Sequence, residues 1–360
     1  MDHGLRRARL AERLGELELD ALIVTHLPNV RYLTGFTGSN AQVVVATDGS
    51  AVFLTDGRYG AQSEHEVPDL PRTVYRQGYP QPLVDACATL GVSRAGFERH
   101  AITYEAWEQL TELADGLELV PAGQDVERQR RTKDPDEIAL IDRAQGFADR
   151  AFETVVLDGG LREGMSERQL AMMLEGAMIE AGAEDRAFDS IVAFADHAAE
   201  PHHHLTDRGL ARGDLVKLDF GALSDGYHSD VTRTVAFGEP DPRMSEIRDV
   251  VAAAQRAGIE AVRPGATTVE VDAAARAVIT DAGHGEAFPH GLGHGVGLEI
   301  HEAPFLRWDD GEELVEGMVV TIEPGVYIPG LGGVRIEDMV EVTADGHREI
   351  PRSTKELMVL

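Results

Sequence analysis

Residues 213–237 read Gly-Asp-Leu-Val-Lys-Leu-Asp-Phe-Gly-Ala-Leu-Ser-Asp-Gly-Tyr-His-Ser-Asp-Val-Thr-Arg-Thr-Val-Ala-Phe. The alternation of side chains at the start of this stretch predicts a strand in which Lys217 and Asp219 share one face. The Ser-Asp-Gly turn in the middle and the β-branched residues at the end predict a hairpin. Asp219 and Asp230 would then lie close together among apolar residues. Two such carboxylates repel each other unless a cation lies between them.

The chain contains one pattern of residues in two consecutive copies. Residues 164–182 and 265–283 each begin with glycine, continue with a capping box and end with Ala-Gly. The capping boxes start at Ser166 and Thr267, so each copy is predicted to contain a capped helix. Such a repeat indicates two halves of related structure.

The match between the two copies extends to four acidic residues. Residues 317–325 read Gly-Met-Val-Val-Thr-Ile-Glu-Pro-Gly, so Glu323 corresponds to Asp219. Glu337 corresponds to Asp230, because each follows a glycine by four positions. A pseudo-twofold arrangement of the two halves would bring all four carboxylates to one point.

These carboxylates predict a metal site. They cannot share a buried site as bare anions, and two divalent cations would balance their formal charge. His294 adds an imidazole from the glycine-rich stretch 290–297, where glycines let the backbone approach closely. Four oxygen ligands and one nitrogen ligand suit Mn²⁺ first, with Co²⁺ or Zn²⁺ as alternatives. Such a pair of ions typically bridges a water and lowers its pKa to about 7, which supplies a nucleophile.

Further residues near these motifs suit supporting roles in catalysis or substrate binding. Arg335 is two residues from Glu337 in a predicted strand, so it could orient that carboxylate or bind substrate. Three histidines are candidates for proton transfer and for stabilising an oxyanion: His202, His290 and His301. Tyr327 is either a substrate contact or a core residue. Four other histidines are interpreted as solvated or merely neighbouring residues: His197, His203, His204 and His284.

The length of the chain and the order of its predicted elements indicate two domains. Its 360 residues can bury more than one core. Strands alternate with helices up to about residue 125, which predicts a small α/β domain over residues 1–125 and a second domain over 126–360. The predicted helices cover residues 5–18, 83–90, 103–115 and 136–157, and the predicted strands of the first domain cover residues 20–25, 41–46, 51–55 and 95–97.

Composition and charge exclude several classes of protein. The formal net charge is −30, from 33 basic and 63 acidic residues, and such a surface repels nucleic acid and anionic membranes. No apolar run has the length of a membrane span, and the N-terminus is not typical of a signal peptide. Cys87 is the only cysteine, which favours a reducing, cytoplasmic location.

Taken in order, the motifs resemble those of the Xaa-Pro peptidases in the methionine aminopeptidase/prolidase/creatinase superfamily. The matching stretches are the one from Gly213 to Thr234, His290-Gly-Leu-Gly-His294-Gly-Val-Gly, Thr321-Ile-Glu-Pro-Gly and Val334-Arg-Ile-Glu-Asp. Asn29-Val-Arg-Tyr-Leu-Thr-Gly-Phe-Thr-Gly-Ser and Thr55-Asp-Gly-Arg-Tyr59 resemble the creatinase-type N-terminal domain. The resemblance implies an α+β fold: a C-terminal pita-bread domain with a pseudo-twofold repeat, after a smaller α/β domain.

The resemblance also implies roles for individual residues. It gives a dinuclear centre held by five ligands: Asp219, Asp230, His294, Glu323 and Glu337. Asp230 and Glu337 would bridge the ions, and Glu323 would also act as general base. His202, His290, His301 and Arg335 would match the residues that bind the substrate and the transition state. The family further implies a homodimer.

The first-choice function is an aminopeptidase P type exopeptidase, whose substrate is a peptide with proline at position two. A prolidase restricted to Xaa-Pro dipeptides is the main alternative. A creatinase-like C–N hydrolase, a non-catalytic binding homologue and a purely structural metal site are disfavoured, because all five ligands and the adjacent histidines are present. A plain methionine aminopeptidase would not need residues 1–125.

Residues 194–200, Phe-Ala-Asp-His-Ala-Ala-Glu, depart from the small Ser-Gly-type turn of the family, which bears on substrate size.

Overall fold

The computed structural model describes residues 1–360, which form two compact units, Met1–Arg130 and Arg131–Leu360. The boundary expected at residue 125 coincides with the start of a helix, Asp125–Arg130, that belongs to the first unit by its contacts. None of the helices combines the length and the apolar character needed to cross a membrane.

The first unit is a six-stranded mixed sheet with helices. Its strand order is β4-β3-β2-β1-β5-β6; β2 pairs antiparallel with both neighbours, whereas the other pairs are parallel. Its helices and strands are α1 His3–Glu16, β1 Ala21–Val24, α2 Leu27–Thr34, β2 Ala41–Ala46, β3 Ala51–Asp56, α3 Gly60–Glu66, β4 Arg72–Tyr75, α4 Pro80–Thr89, β5 Arg94–Glu98, α5 Tyr104–Leu113, β6 Glu118–Ala122 and α6 Asp125–Arg130.

The predicted elements of the first unit are present, but four elements were not predicted: β4, β6, α6 and the helix α2. This helix is only eight residues long, begins with a proline in its first turn and ends at Gly35, whose φ of +79° favours glycine. A short helix gives too few turns for a clear apolar period, so pattern alone does not reveal it.

The second unit combines helices with several small antiparallel sheets. The main ones are a three-stranded sheet of order β11-β8-β7 and a five-stranded sheet of order β13-β12-β14-β17-β18. The helices and strands are α7 Pro135–Phe152, α8 Glu167–Ala181, β7 Ile191–Phe194, β8 Asp214–Phe220, β9 Leu223–Ser224, β10 Tyr227–His228, β11 Val231–Phe237, α9 Pro242–Ala261, α10 Thr268–Asp281, β12 Gly293–Gly295, β13 Glu302–Leu306, β14 Val319–Ile322, β15 Gly325–Ile328, β16 Gly332–Arg335, β17 Asp338–Thr343 and β18 Gly346–Glu349.

The predicted helix starts in the second unit are confirmed. Ser166 and Thr267 each cap a helix, and both capping boxes are complete. Asp134 caps α7 in the same way, with Pro135 at the first helical position. The helix predicted to reach residue 157 ends instead at Phe152 and continues as a single π-helical turn to Leu157.

Strand β8 lies between two hydrophobic cores. Val216, Leu218 and Phe220 pack into a core with α7, α8 and β11, whereas Leu215 packs into the core of the second half of the repeat. Strand β8 pairs with β11 in the register Asp219↔Thr232, so the predicted hairpin is present, with the small β9–β10 hairpin at its tip. This packing fixes the face on which Asp219 lies.

The single cysteine offers a test of the first unit. Cys87 is 1% exposed, and burial raises the pKa of its thiol to about 12. Because the thiolate is the reactive form, a thiol reagent at about pH 8 should label almost none of the folded chain. In guanidinium chloride the same reagent should label one thiol per chain. Rapid labelling of the folded chain would contradict the packing described for helix α4.

Candidate active site

The five predicted ligands come together in the second unit. Asp219 lies on β8 and His294 on β12. Asp230 directly precedes β11, Glu323 directly follows β14 and Glu337 directly precedes β17. The Nε2 atom of His294 lies 3.4 Å from Oε1 of Glu323 and 3.6 Å from Oδ2 of Asp230. Ligand atoms of Asp230, His294 and Glu337 all lie within 4.8 Å of one another. All five side chains line one cavity of about 960 Å³.

The orientation of His294 suits it to bind a metal ion through Nε2. Its Nδ1 lies 3.0 Å from the carbonyl oxygen of Gly295, which fixes the proton on that nitrogen and leaves a lone pair on Nε2. Burial lowers the pKa of His294 to about 3, so the ring is neutral. A Cβ atom on Gly293 would lie 1.9 Å from the carbonyl oxygen of Thr321, so glycine is required for this close approach.

The carboxylates form an electrostatically unfavourable cluster by themselves. Burial and then repulsion from neighbouring carboxylates raise the pKa of both Asp230 and Glu337 well above the usual range. Burial likewise raises the pKa of Glu323 to about 7. The Oδ1 atom of Asp219 is buried without a hydrogen-bond partner, which a folded protein rarely tolerates. A set of buried carboxylate oxygens with one imidazole nitrogen therefore fits divalent cations.

Arg335 orients Asp219 rather than Glu337. Its Nη2 donates to Oδ2 of Asp219, and its Nε donates to Oγ1 of Thr232 at 3.0 Å. Its Nη1 donates to the hydroxyl oxygen of Tyr327 at 2.9 Å and to the carbonyl oxygen of Pro201 at 3.2 Å. Glu337 instead accepts a hydrogen bond from Thr232 at 2.6 Å. Each nitrogen of this buried guanidinium thus has a protein acceptor.

The three candidate histidines differ in their hydrogen bonds. Both ring nitrogens of His290 are engaged, with the carbonyl oxygen of Gly291 at 2.8 Å and the hydroxyl of Tyr327 at 2.9 Å. Burial lowers the pKa of His290 to about 4. His202 and His301 are exposed residues lining the cavity, and neither ring has a hydrogen bond within the protein. Partial burial lowers the pKa of both below its usual value, which favours the neutral ring.

His301 also packs against the metal-ligand candidate His294. The centroids of the two rings are 4.4 Å apart, with an interplanar angle of 69°. The structure thus brings the predicted catalytic, substrate-binding and metal-ligating residues into one region. The polar atoms of His290 and Tyr327, however, are already paired: the two side chains hydrogen-bond to each other, and Tyr327 also accepts from Arg335.

Sequence reasoning missed several residues around this site. His203 is buried and lies 2.9 Å from a carboxylate oxygen of Glu167, and His197 binds the other oxygen of that carboxylate at 2.8 Å. His203 is therefore buried rather than solvated, and His197 is only partly exposed. Lys217 is fully buried and donates to three backbone carbonyls. For Lys217 the strand alternation already gave a signal, because it shares a face with Asp219.

The fold and this cluster agree with the family comparison. The sequence matches Metallopeptidase family M24 over residues 139–344 and the Creatinase/Prolidase N-terminal domain over residues 6–132. The chain therefore belongs to the M24 metallopeptidases, which are hydrolases that act on peptide bonds and use divalent metal ions. The resemblance inferred from the motifs and the two-domain α+β architecture are both confirmed.

Individual relatives align over nearly the whole chain. An uncharacterized peptidase of Bacillus subtilis, YqhT, is 40% identical over 99% of this chain and 100% of its own length. The structure of an Xaa-Pro dipeptidase from Bacillus anthracis has a TM-score of 0.96 at 38% identity and covers 100% of both chains. The structure of an X-Pro aminopeptidase from Thermotoga maritima has a TM-score of 0.89 at 31% identity and covers 97% of this chain and 100% of its own.

The donor set can be tested by metal analysis of a single variant. Glu337→Ala removes one of the three clustered donors, so its metal content after loading with Mn²⁺ and desalting should fall far below that of the unmodified protein. Mass spectrometry of the metal measures this. Glu341→Ala is the matched control, because Glu341 lies on β17 and pairs with Arg348 outside the cavity. Unchanged metal content, or full activity of a metal-free Glu337→Ala protein, would contradict the assignment.

Proposed function

We propose that the chain is an Xaa-Pro exopeptidase of the aminopeptidase P type with a dinuclear metal centre. The observation that carries the proposal is the convergence of four carboxylates and one imidazole beside the unpartnered oxygen of Asp219. The names of the Xaa-Pro dipeptidase and X-Pro aminopeptidase relatives support the class of substrate.

Five residues would hold the proposed centre: Asp219, Asp230, His294, Glu323 and Glu337. Four carboxylates balance the charge of two divalent cations, of which Mn²⁺ is the first choice. When bound, the ions supply Lewis acidity, which polarises the scissile carbonyl and acidifies water.

The residues of the chain itself move the protons and bind the developing charge. Glu323 accepts the proton of the attacking water and returns it to the leaving proline nitrogen. Its Oε1 lies 3.3 Å from the hydroxyl of Thr321, which holds the carboxylate in place. The rings of His202 and His301 make no hydrogen bond within the protein, so their N–H groups can donate to the oxygen on which charge develops. His290 and Tyr327 contribute by holding Arg335 against Asp219.

The cavity supports recognition of proline and of longer peptides. Apolar side chains of Phe188, Ile300 and Phe305 line it and offer contacts for a pyrrolidine ring. Its volume of about 960 Å³ lies near the upper end of the range of about 300–1,000 Å³ found for small-ligand sites, which leaves room beyond a dipeptide. A prolidase restricted to dipeptides is the second candidate, favoured by the name of the Bacillus anthracis relative. The homodimer and the cytoplasmic location stay predictions.

The two histidines His294 and His202 should respond differently to substitution. His294→Ala should lower metal content and activity together, because it removes an inward-facing lone pair. His202→Ala should retain its metal and lose kcat by about 10²–10³-fold, as for removal of a transition-state donor. Metal analysis, steady-state kinetics and circular dichroism would be compared with His284→Ala, whose residue lies outside the cavity. Loss of metal from His202→Ala and retention by His294→Ala would reverse the two roles.

Matched peptides test both the proline requirement and the substrate length. The metal-loaded enzyme should cleave Ala-Pro and Ala-Pro-Ala-Ala after the first residue, with much higher kcat/KM than for Ala-Ala and Ala-Ala-Ala-Ala. Product analysis by chromatography measures this. Cleavage of Ala-Pro without cleavage of the tetrapeptide would establish the dipeptidase instead. Equal kcat/KM for the proline and alanine series would rule out the proline requirement.

A further inference from the structure

Residues 195–206, here termed the His202 segment, contact two buried ionisable side chains that do not belong to the proposed metal centre. We propose that Lys217 and Glu167 are positioning residues, which fix the backbone on either side of His202 so that its ring faces the substrate. The proposal rests on the role of His202 stated under the proposed function. It adds two residues that act on the reaction only through His202.

Lys217 holds the segment on the N-terminal side of His202. Its Nζ lies 3.2, 2.6 and 3.3 Å from the carbonyl oxygens of Ala198, Glu200 and Pro201, all three of which belong to the His202 segment. Lys217 is 0% exposed. The carbonyl oxygen of Pro201 also accepts from Nη1 of Arg335 at 3.2 Å, so two side chains donate to the carbonyl that directly precedes His202.

Glu167 holds the segment on both sides of His202. It is the first residue of helix α8 and is 0% exposed. Its two carboxylate oxygens accept five hydrogen bonds, from Phe194 N at 3.0 Å, His197 Nδ1 at 2.8 Å, His203 Nε2 at 2.9 Å, Thr206 N at 3.0 Å and Thr206 Oγ1 at 2.6 Å.

The protonation of Glu167 agrees with this arrangement. Burial by itself would raise the pKa of Glu167, but the hydrogen bonds from Thr206 and His203 outweigh it and lower the pKa to about 2. The carboxylate is therefore charged throughout the working range of a peptidase, and every donor that it binds lies in the segment or directly before it.

The backbone of the segment requires such support. Ala195 has a φ of +47°, in the left-handed region that residues with a Cβ atom rarely adopt. The segment also packs closely against β16, because a Cβ atom on Gly333 would lie 2.0 Å from the carbonyl oxygen of Ala198. The His202 ring makes no hydrogen bond within the protein, so its position depends strongly on the backbone that carries it. The position of such a ring strongly affects the rate, because a shift of a catalytic group by about 1 Å can lower the rate by about 10²-fold.

A double-mutant cycle tests whether the two residues act through His202. Glu167→Gln and Lys217→Met would each be made in the unmodified protein and in His202→Ala, with Glu180→Gln, an exposed position on the same helix, as control. In the unmodified background each change should lower kcat by about 10- to 100-fold, with KM and metal content within about twofold. In the His202→Ala background the same changes should have almost no further effect, because the residue through which they act is absent.

Nuclear magnetic resonance gives a readout that does not depend on activity. The ring Cε1–Hε1 signal of His202, assigned by its loss in His202→Ala, should shift or broaden in Glu167→Gln and Lys217→Met and stay unchanged in Glu180→Gln. Thr206→Val, which removes a single donor to Glu167, is a milder variant in case the larger changes prevent folding. It should show the same change in smaller degree.

The outcomes separate this proposal from the proposed function. Equal losses of kcat in both backgrounds, or an unchanged His202 signal in the folded variants, would overturn the positioning role. Full kcat in His202→Ala would instead overturn the catalytic role of His202, whereas the resonance would still show whether Glu167 and Lys217 hold its ring.

Discussion

Repulsion among four carboxylates, three buried and one half-buried, is the constraint on which the second unit depends. Asp219, Asp230, Glu323 and Glu337 share one site, and Arg335 is the only arginine or lysine within ion-pair distance of them. Removing such charges from water costs several kcal/mol per ion unless they are paired. One guanidinium cannot balance four carboxylates, so the apo chain must either take up protons or bind cations. Metal binding and stability of this unit are therefore linked, because the cation removes the unfavourable charge that the fold itself creates.

The packing of one strand places both the ligands and their support. Leu215 on β8 contacts one core, while Val216, Leu218 and Phe220 contact the other. The period of two then directs Lys217 and Asp219 to the same face, one toward the carbonyls of the His202 segment and the other toward the metal site. A slip of one residue in the pairing of β8 with β11 would exchange the faces and put both charges into a hydrophobic core. The packing of β8 in the two cores thus determines which face of the strand carries Lys217 and Asp219.

The sequence predicts whatever depends on local pattern or on the internal repeat. The alternation in β8, the capping boxes at Ser166 and Thr267 and the correspondence of Asp219 with Glu323 are all visible without coordinates. Contacts between distant residues are different: Arg335 binds Asp219 across 116 positions, and Glu167 binds His203 across 36. Such pairs depend on how elements pack, and no periodicity encodes them. The sequence accordingly suggested that Arg335 orients its near neighbour Glu337 or binds substrate, whereas Thr232 is the hydrogen-bond partner of Glu337.

The histidines show why residue type and position in the chain do not by themselves give function. His203 and His202 are adjacent in sequence, yet the first is buried between the carboxylates of Glu167 and Glu200, and the second has no partner within the protein. His290 and His294 lie in one glycine-rich stretch, yet only His294 keeps a ring nitrogen aimed at carboxylates. Because a buried polar atom that is already paired gains little from a ligand, the atoms left unpaired mark where a substrate or a metal ion binds. The hydrogen bonds therefore separate histidines that stabilise the structure of the site from histidines that are available to bind a substrate or a metal ion.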